Sequence, residues 1–373
     1  MLDSSPAHSP DSASLTAWLR LSLCSGCGPA AQRKLLAAFG LPEHIFAAGR
    51  TALRSVVGAE LADQLLAEPD SELIERTLRW LEAPDTHLIT LADTHYPRTL
   101  LEIPDPPAVL YIKGDPAVLE RPTLALVGAR SATPQGIANA EAFARSLAEA
   151  GLSICSGLAL GIDAAAHRGA LAANSGTTVA VIGTGADRVY PARHRDLAHE
   201  IAARGALVSE YPLGTPPRAH NFPRRNRLIA GLSRGVLVVE AAVDSGSLIT
   251  ARLATECGRE VLAIPGSIHS PLARGCHRLI RDGAKLVETA ADVLEELHWQ
   301  HPPEVAPQRA DDAPTATDPD TRRVLDALGH DPGDLDTLAA RTGLTLDALY
   351  AILLPLELAG RVARLPGGRF QRL

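Results

Sequence analysis

Small residues, mostly glycine and serine, directly follow the short apolar runs in the middle of this 373-residue chain. At the start of a helix, such residues let backbone N–H groups approach an anion, and the helix dipole adds to the attraction. If the runs are parallel strands, their following loops share one sheet edge and predict a row of phosphate-sized sites there. The candidate residues are Gly128, Arg130, Ser156, Gly157, Gly161, Gly183, Gly185, Ser245, Gly246 and Ser247.

Arginine is concentrated in the same region. Residues 191–235 hold eight arginines and three acidic residues, although the whole chain carries a net charge of −7. We expect residues 222–227 to form a turn with cationic forks and a ring able to stack on a base. On charge alone, a solvated basic face explains this segment as well as an anionic partner does. This segment adds Phe222, Arg224, Arg225, Asn226 and Arg227 to the candidate binding residues.

The motifs of known catalysts are missing from these loops. The chain has no Walker-type Gly-x-x-x-x-Gly-Lys-Ser/Thr and no Gly-x-Gly-x-x-Gly after the first strand. Asp163 and His167 lie four residues apart, so they share a helix face and form a conceivable acid/base pair. An N-terminal Asp that suits the helix dipole, together with a packed His, explains them better. The sequence therefore predicts a protein that binds an anionic ligand, has no catalytic residue and is not an enzyme.

Cysteine usage and hydropathy limit the compartment and the cofactors. Five scattered cysteines argue against a disulfide framework and for a reducing compartment. Cys24 and Cys27 have the spacing of half a zinc site, but no second pair completes it. We expect no metal and no cofactor. The sequence shows no export signal and no apolar run of about 18 residues, so we expect a cytoplasmic protein without membrane contact.

The strands and helices that position these loops are predicted from the alternation of apolar runs with segments of helical period. Helix-period segments separate six apolar runs, which predicts strands buried on both faces in a doubly wound, Rossmann-like and mostly parallel α/β sheet. The predicted strands are 123–127, 152–156, 177–182, 206–210, 235–240 and 260–265.

The rest of the chain divides around this α/β domain. We predict a disordered N-terminus (1–14), a helical domain of the SAM or helix-hairpin-helix type (15–100), the α/β domain (105–297), a linker (298–320) and a winged helix (321–373). The Gly26–Pro29 turn of the helical domain either touches a DNA backbone or packs on the next domain. The winged helix contacts either DNA or protein, and the sequence does not decide between them.

Six motifs in order carry a family resemblance: VGAR, SGLALGIDAAAH, AVIGTGADRVYP, FPRRNRLIAGLS, VVEAAVDSGSLITA and IPGS. Together they resemble the DNA processing protein A family, also called DprA or Smf. The resemblance covers about residues 95–297 and includes Tyr96, Pro97, Leu100 and the Pro106–Pro107 pair. The helical N-terminal domain and the C-terminal winged helix agree with the longer form of this family.

The resemblance implies a homodimer that binds and protects single-stranded DNA entering the cell during natural transformation and loads RecA onto it. It places the strand in the Rossmann-like pocket, against the candidate residues above. It also implies a self-association and RecA surface that includes His277, Ile280 and Leu286, with a single-strand-binding protein as a further candidate partner. Many relatives carry a lysine after the residues equivalent to Tyr190 and Pro191. This chain has Ala192 and then Arg193, whose charge we expect to replace it.

Two other function classes compete with this interpretation. A nucleotide or phosphoribosyl hydrolase on a similar sheet would use Asp163, His167 or Glu240 as its acid or base. A transcription regulator would instead act on duplex DNA through the winged helix.

Overall fold

The computed structural model describes residues 12–299, 318–329 and 332–372. The predicted disordered N-terminus lies outside the described residues except for 12–14, which begin a helix, and the linker lies outside them over 300–317. Six helices form the N-terminal part: α1 (Ser12–Leu23), α2 (Pro29–Phe39), α3 (Pro42–Ala47), α4 (Arg50–Val57), α5 (Ala59–Leu66) and α6 (Ser71–Trp80).

A nine-stranded sheet follows, in the order β1-β2-β6-β5-β4-β3-β7-β8-β9. Strands β3 to β9 pair in parallel, whereas β1 and β2 add an antiparallel edge next to β6. The strands are β1 (Thr86–Thr90), β2 (Val109–Gly114), β3 (Thr123–Val127), β4 (Ser153–Ser156), β5 (Thr178–Val181), β6 (Ala206–Ser209), β7 (Gly235–Val238), β8 (Glu260–Ala263) and β9 (Lys285–Leu286).

The six predicted strands therefore form, whereas β1 lies inside the segment that we expected to be helical. Its sequence, THLIT, has no long apolar run, and pairing with β2 supplies its hydrogen bonds. The sheet thus begins at residue 86, upstream of the expected start of the α/β domain at 105. Residues 298 and 299 also depart from the expected linker, because Trp299 donates its ring N–H to Ala150 O at 3.0 Å.

Helices cover both faces of the parallel strands, as a doubly wound sheet requires. Leu124 and Leu126 of β3 face the core that includes α8, whereas Ala125 and Val127 face the core that includes α11. The helices are α7 (Arg98–Leu101), α8 (Pro134–Glu149), α9 (Ile162–Ala172), α10 (Arg195–Arg204), α11 (Asn221–Leu232), α12 (Gly246–Glu256), α13 (Arg274–Arg281) and α14 (Ala290–Glu296).

The strand order reverses direction between β3 and β7. Strands β4, β5 and β6 extend from β3 to one side, and β7, β8 and β9 extend to the other. At such a switch point the connecting loops diverge and leave a crevice beyond the carboxyl ends of the strands. This crevice is where the fold itself predicts a ligand.

Residues 222–227 do not form the expected turn. They belong to the first half of α11, with Pro223 near the helix start. Proline is tolerated there because the first N–H groups of a helix have no intrahelical acceptor. The arginines of this segment consequently point to different sides of one helix.

The helical N-terminal part packs against the antiparallel edge of the sheet. Trp18 of α1 and Ile74 of α6 share a buried cluster with Val109 and Tyr111 of β2. This shared core joins the helices to the sheet beside β6.

The C-terminal residues form a winged helix of three helices and a hairpin, with its own core. Its elements are α15 (Pro319–Leu328), α16 (Leu335–Thr342), α17 (Leu346–Leu358), β10 (Val362–Leu365) and β11 (Arg369–Arg372). Within the described ranges no single helix can span a membrane, and only the bent pair α16 and α17 has the length and composition of a broken span. Leu338 and Leu353 of this pair are buried in the winged-helix core.

Candidate nucleic-acid interface

A cleft of about 400 Å³ opens at the switch point between β3 and β7. Its walls come from the loops after β3 and β4 and from the first turns of α11 and α12. The lining residues are Val127, Gly128, Arg130, Ala159, Asp163, Phe222, Pro223, Arg225, Asn226, Ile229, Ser245, Gly246, Ser247 and Thr250. Part of the predicted loop row and part of the predicted arginine segment thus meet at one place.

Two glycines let the loops of the cleft pack at contact distance. A Cβ on Gly128 would lie 2.6 Å from Ile162 Cγ1 and 2.8 Å from Glu240 O. Gly161, with φ +72°, caps α9 in a left-handed conformation, and a Cβ there would lie 2.7 Å from Arg130 O. Both positions need glycine for close approach, so neither has to be explained by ligand contact.

The floor of the cleft is a buried ion pair. Arg225 donates to Gly157 O at 2.6 Å and to Val181 O, and its Nη2 lies 3.9 Å from Asp163 Oδ2. Asp163 Oδ2 accepts the backbone N–H groups of Gly157 at 3.1 Å and Ala159 at 3.3 Å. Burial raises the pKa of Asp163 and lowers the pKa of Arg225, in each case against their mutual attraction.

Ser156 and Gly157 therefore have internal roles, contrary to our expectation of direct contact. Ser156 is fully buried and donates its hydroxyl to Leu126 O at 2.6 Å. Gly157 uses its N–H on Asp163 and its carbonyl on Arg225, and the guanidinium occupies the space of a Cβ at this glycine. These residues shape the β4 loop, and their polar groups are already bonded within the protein.

Arg227 and Arg224 lie away from the cleft. Arg227 is buried and donates to Asp105 Oδ2 at 2.8 Å and to Glu210 Oε2 at 2.6 Å. Arg224 points to the helical N-terminal part, with its Nε 3.9 Å from Glu210 Oε1. Of the three arginines of this segment, only Arg225 lines the cleft, and it is already paired there.

The exposed cation of the cleft is Arg130. Its guanidinium lies 5.8 Å from the ring centroid of Phe222 and has no carboxylate partner among the described residues. Phe222 in turn lies 5.5 Å from the ring of Tyr190, which is 48% exposed. A cation beside two partly exposed rings can hold a phosphate and stack a base at the same time.

The opposite wall is the N-terminus of α12. Ser245 caps this helix by accepting the N–H of Ser247, and the two hydroxyls lie 2.7 Å apart. Asn226 connects this wall to α11, because its amide donates to Gly246 O at 3.4 Å. Ser245, Gly246 and Ser247 all line the cleft, where the helix dipole favours an anion.

Gly183 and Gly185 lie outside the cleft lining. A Cβ on Gly183 would be 3.1 Å from the Phe222 ring, so the ring packs closely against this glycine. Gly185 is buried and donates its N–H to Thr215 O at 3.1 Å. Both support the β5 loop that carries Tyr190.

The arginine-rich window divides into bonded and exposed members. Arg204 donates to the carbonyls at the end of α9, at Leu171 and Ala173. Arg193 is exposed after Tyr190–Pro191 but does not line the cleft. Whether its charge replaces a family lysine stays a prediction.

The expected self-association residues lie on α13 and β9. Leu286 is 45% exposed on β9, the last strand of the sheet. Ile280 packs mainly inward, and the His277 ring Nε2 lies 2.9 Å from Gly266 O. Leu286 is therefore the most accessible of the three.

The proposed acid and base groups have structural partners. His167 is fully buried, and because the Thr178 hydroxyl donates to Ile154 O, Nδ1 of His167 donates to Thr178 Oγ1 at 2.7 Å. Glu240 accepts both the N–H and the hydroxyl of Thr133 at the start of α8. These contacts favour structural roles for Asp163, His167 and Glu240.

Tyr190 is a cleft-edge residue that was not among the binding residues expected from the sequence. Phe222 was expected to stack on a base, but Tyr190 precedes it by 32 residues in the sequence, so the local pattern does not show that the two rings are close. The one available indication was an aromatic residue in a loop after a parallel strand.

Comparisons with known proteins agree along most of the chain. A family model described as DNA recombination-mediator protein A matches residues 87–298, and a DprA winged helix domain model matches 308–368. Protein Smf of Escherichia coli (strain K12) is 45% identical over 302 residues, 79% of this chain and 80% of its own length.

Two solved structures extend this similarity. DNA processing protein A from Streptococcus pneumoniae has a TM-score of 0.66 at 39% identity, covering 75% of this chain and 95% of its own. A structure of DNA processing protein A from Helicobacter pylori, described for its single-stranded DNA binding mode, has a TM-score of 0.52 at 31% identity. It covers 57% of this chain and 96% of its own.

Arg225→Ala should lower the free energy of unfolding by about 3–5 kcal/mol, because it leaves Asp163 and two carbonyls buried without their partner. Arg130→Ala is the matched control and should change stability little, since Arg130 is exposed. Urea unfolding measures both variants. An Arg225→Ala protein as stable as the parent would contradict the role of the ion pair.

His167→Gln should weaken the pH dependence of stability. Burial lowers the pKa of His167 from 6.5 to about 3. The unfolded chain therefore takes up a proton that the folded chain does not, so stability falls by about 1.4 kcal/mol per pH unit below about pH 6.5. Urea unfolding between about pH 7 and 5 measures the slope, with exposed His199→Gln as the control. Equal slopes in the parent and His167→Gln would refute the assignment.

Proposed function

We propose that this chain, which belongs to the DNA recombination-mediator protein A (DprA/Smf) family, binds single-stranded DNA in the cleft at the switch point. The observation that carries the proposal is the combination of Arg130, which has no carboxylate partner in the described part of the chain, with the Phe222 and Tyr190 rings at the cleft edge. The α12 N-terminus adds a second site for phosphate. The Helicobacter pylori relative, described for its single-stranded DNA binding, supports the same ligand here.

Single-stranded DNA suits this cleft better than duplex. Base stacking on Phe222 or Tyr190 requires an unpaired base whose face is free. Stacking tolerates any sequence, because every base has a π-face. The protein thus contacts the phosphate backbone of the strand and the faces of its bases. This mode of binding does not depend on sequence, which suits a protein that binds incoming DNA of any sequence.

The same strand-binding role extends to recombination. Our proposal is that the protein protects incoming single-stranded DNA during natural transformation and loads RecA onto it as a homodimer, without catalysing a reaction. The internal bonding of Asp163, His167 and Glu240 supports binding over hydrolysis. A single-strand-binding protein is a further proposed partner, and the cytoplasm is the proposed compartment.

The winged helix is less suited to regulating transcription on duplex DNA. The exposed side of α17 carries Leu346, Tyr350, Leu354 and Leu358 instead of basic residues. Phosphate contact by this helix would need the positive charge that these positions lack.

Arg130→Ala should weaken single-stranded DNA binding about ten-fold and reduce the salt dependence by about one released counterion. Phe222→Ala should weaken binding about as much through lost stacking while leaving the salt slope unchanged. Fluorescence anisotropy over a salt series measures both effects. Arg145→Ala is the control, because this exposed arginine of α8 pairs with Glu149 of the same helix and does not line the cleft. If Arg130→Ala left the affinity and its salt dependence unchanged, the proposal that DNA binds in this cleft would be contradicted.

Leu286→Glu should weaken self-association and RecA loading, because a charge on the exposed edge strand β9 opposes burial in an interface. Binding of single-stranded DNA to the cleft should remain. Analytical ultracentrifugation and RecA filament assembly on coated DNA measure the two losses. Leu101→Glu, which alters a leucine that is 52% exposed on α7, is the matched control. A Leu286→Glu protein that still dimerises and loads RecA would contradict this surface.

A further inference from the structure

A second cleft, of about 430 Å³, lies between the helical N-terminal part and the sheet. The turn before α2 forms one side, and Glu210 and Tyr211, just after β6, form the other. Helix α11 separates the two clefts. Phe222 and Arg225 line the switch-point cleft, whereas Arg224 lines the second one.

The N-terminus of α2 is open toward this second cleft. Gly28 caps the 11-residue helix without a side-chain hydrogen bond, and the first turn contains no acidic residue. Gly28 is exposed, and a Cβ added there would meet nothing within 4 Å. The positive end of the helix dipole is therefore available to an anion.

Glu210 supplies an independent indication of a ligand. Its side chain is only 5% exposed, and its Oε2 accepts from Arg227 at 2.6 Å. Its Oε1 is buried and has no hydrogen-bond partner among the described residues, with Arg224 Nε 3.9 Å away. A buried carboxylate oxygen without a donor is unfavourable, so a donor from a ligand would stabilise it.

We propose that the second cleft is a further nucleotide subsite for the DNA strand held at the switch point. A phosphate binds at the α2 N-terminus, and the Watson–Crick edge of a base lies between Arg224 and Glu210. This assignment rests on the proposed function and adds to it a path for the strand across α11.

The donor and acceptor pattern fits a base better than phosphate alone. Phosphate would bind the α2 N-terminus and Arg224, but it offers Glu210 Oε1 no donor. Each of the four bases has an N–H donor beside an acceptor on its Watson–Crick edge. Glu210 accepts from the donor and the 47%-exposed Arg224 donates to the acceptor, so the subsite takes any base.

Gly28→Asp tests the subsite without removing a stabilising contact. Aspartate is a favourable N-cap and Gly28 already has extended backbone, so α2 should be retained while its N-terminus repels phosphate. The matched control is Gly49→Asp, because Gly49 caps α4 with similar backbone angles and equal space for a Cβ. Both variants add the same charge.

The measurement compares the affinity for strands of about six and about sixteen nucleotides. Gly28→Asp should lose about ten-fold in affinity for the long strand relative to Gly49→Asp, with little change for the short one. Arg224→Ala should show the same pattern. Equal affinities of Gly28→Asp and Gly49→Asp for the long strand would overturn the subsite. Failure of the unmodified protein to bind either strand would instead overturn the proposed function.

Discussion

The buried pair of Arg225 and Asp163 is the interaction on which the candidate site depends. Arg225 donates to the carbonyls of Gly157, just after β4, and of Val181, at the end of β5. Asp163 accepts the N–H groups of the loop between β4 and α9. Four elements thus meet at one ion pair below the cleft. Because the pair neutralises itself, the floor adds little net charge, and the exposed residues above it decide what binds.

Arginine serves two purposes in this protein, and burial separates them. Arg225 and Arg227 are buried with carboxylates and carbonyls, where removal of one partner leaves an uncompensated polar group. Arg130 and Arg193 are exposed and lack carboxylate partners in the described ranges, so their charge is available to a phosphate. This division explains how a chain of net charge −7 can present a local cationic surface.

The sequence predicted six of the seven parallel strands, β3 to β8, and the loop edge, because these six are short runs of β-branched and apolar residues between helical segments. It did not predict β9, which has two residues, or the antiparallel pair of β1 and β2. Nor did it separate Arg225 from Arg130, since Arg225 bonds to a carbonyl 68 residues away. Local patterns predict elements, whereas the burial of one arginine among several depends on contacts distant in sequence.

The antiparallel strands β1 and β2 join the helical N-terminal part to the same sheet that carries the switch-point cleft. Helix α11 lies between the two clefts, and each cleft is lined in part by residues at the ends of strands of this one sheet. A polymer that occupied both clefts would have its end-to-end distance set by the sheet and not by its own elasticity. The protein would then hold the strand in an extended conformation with its neighbouring bases separated. A partner that binds extended strands could bind it in that form.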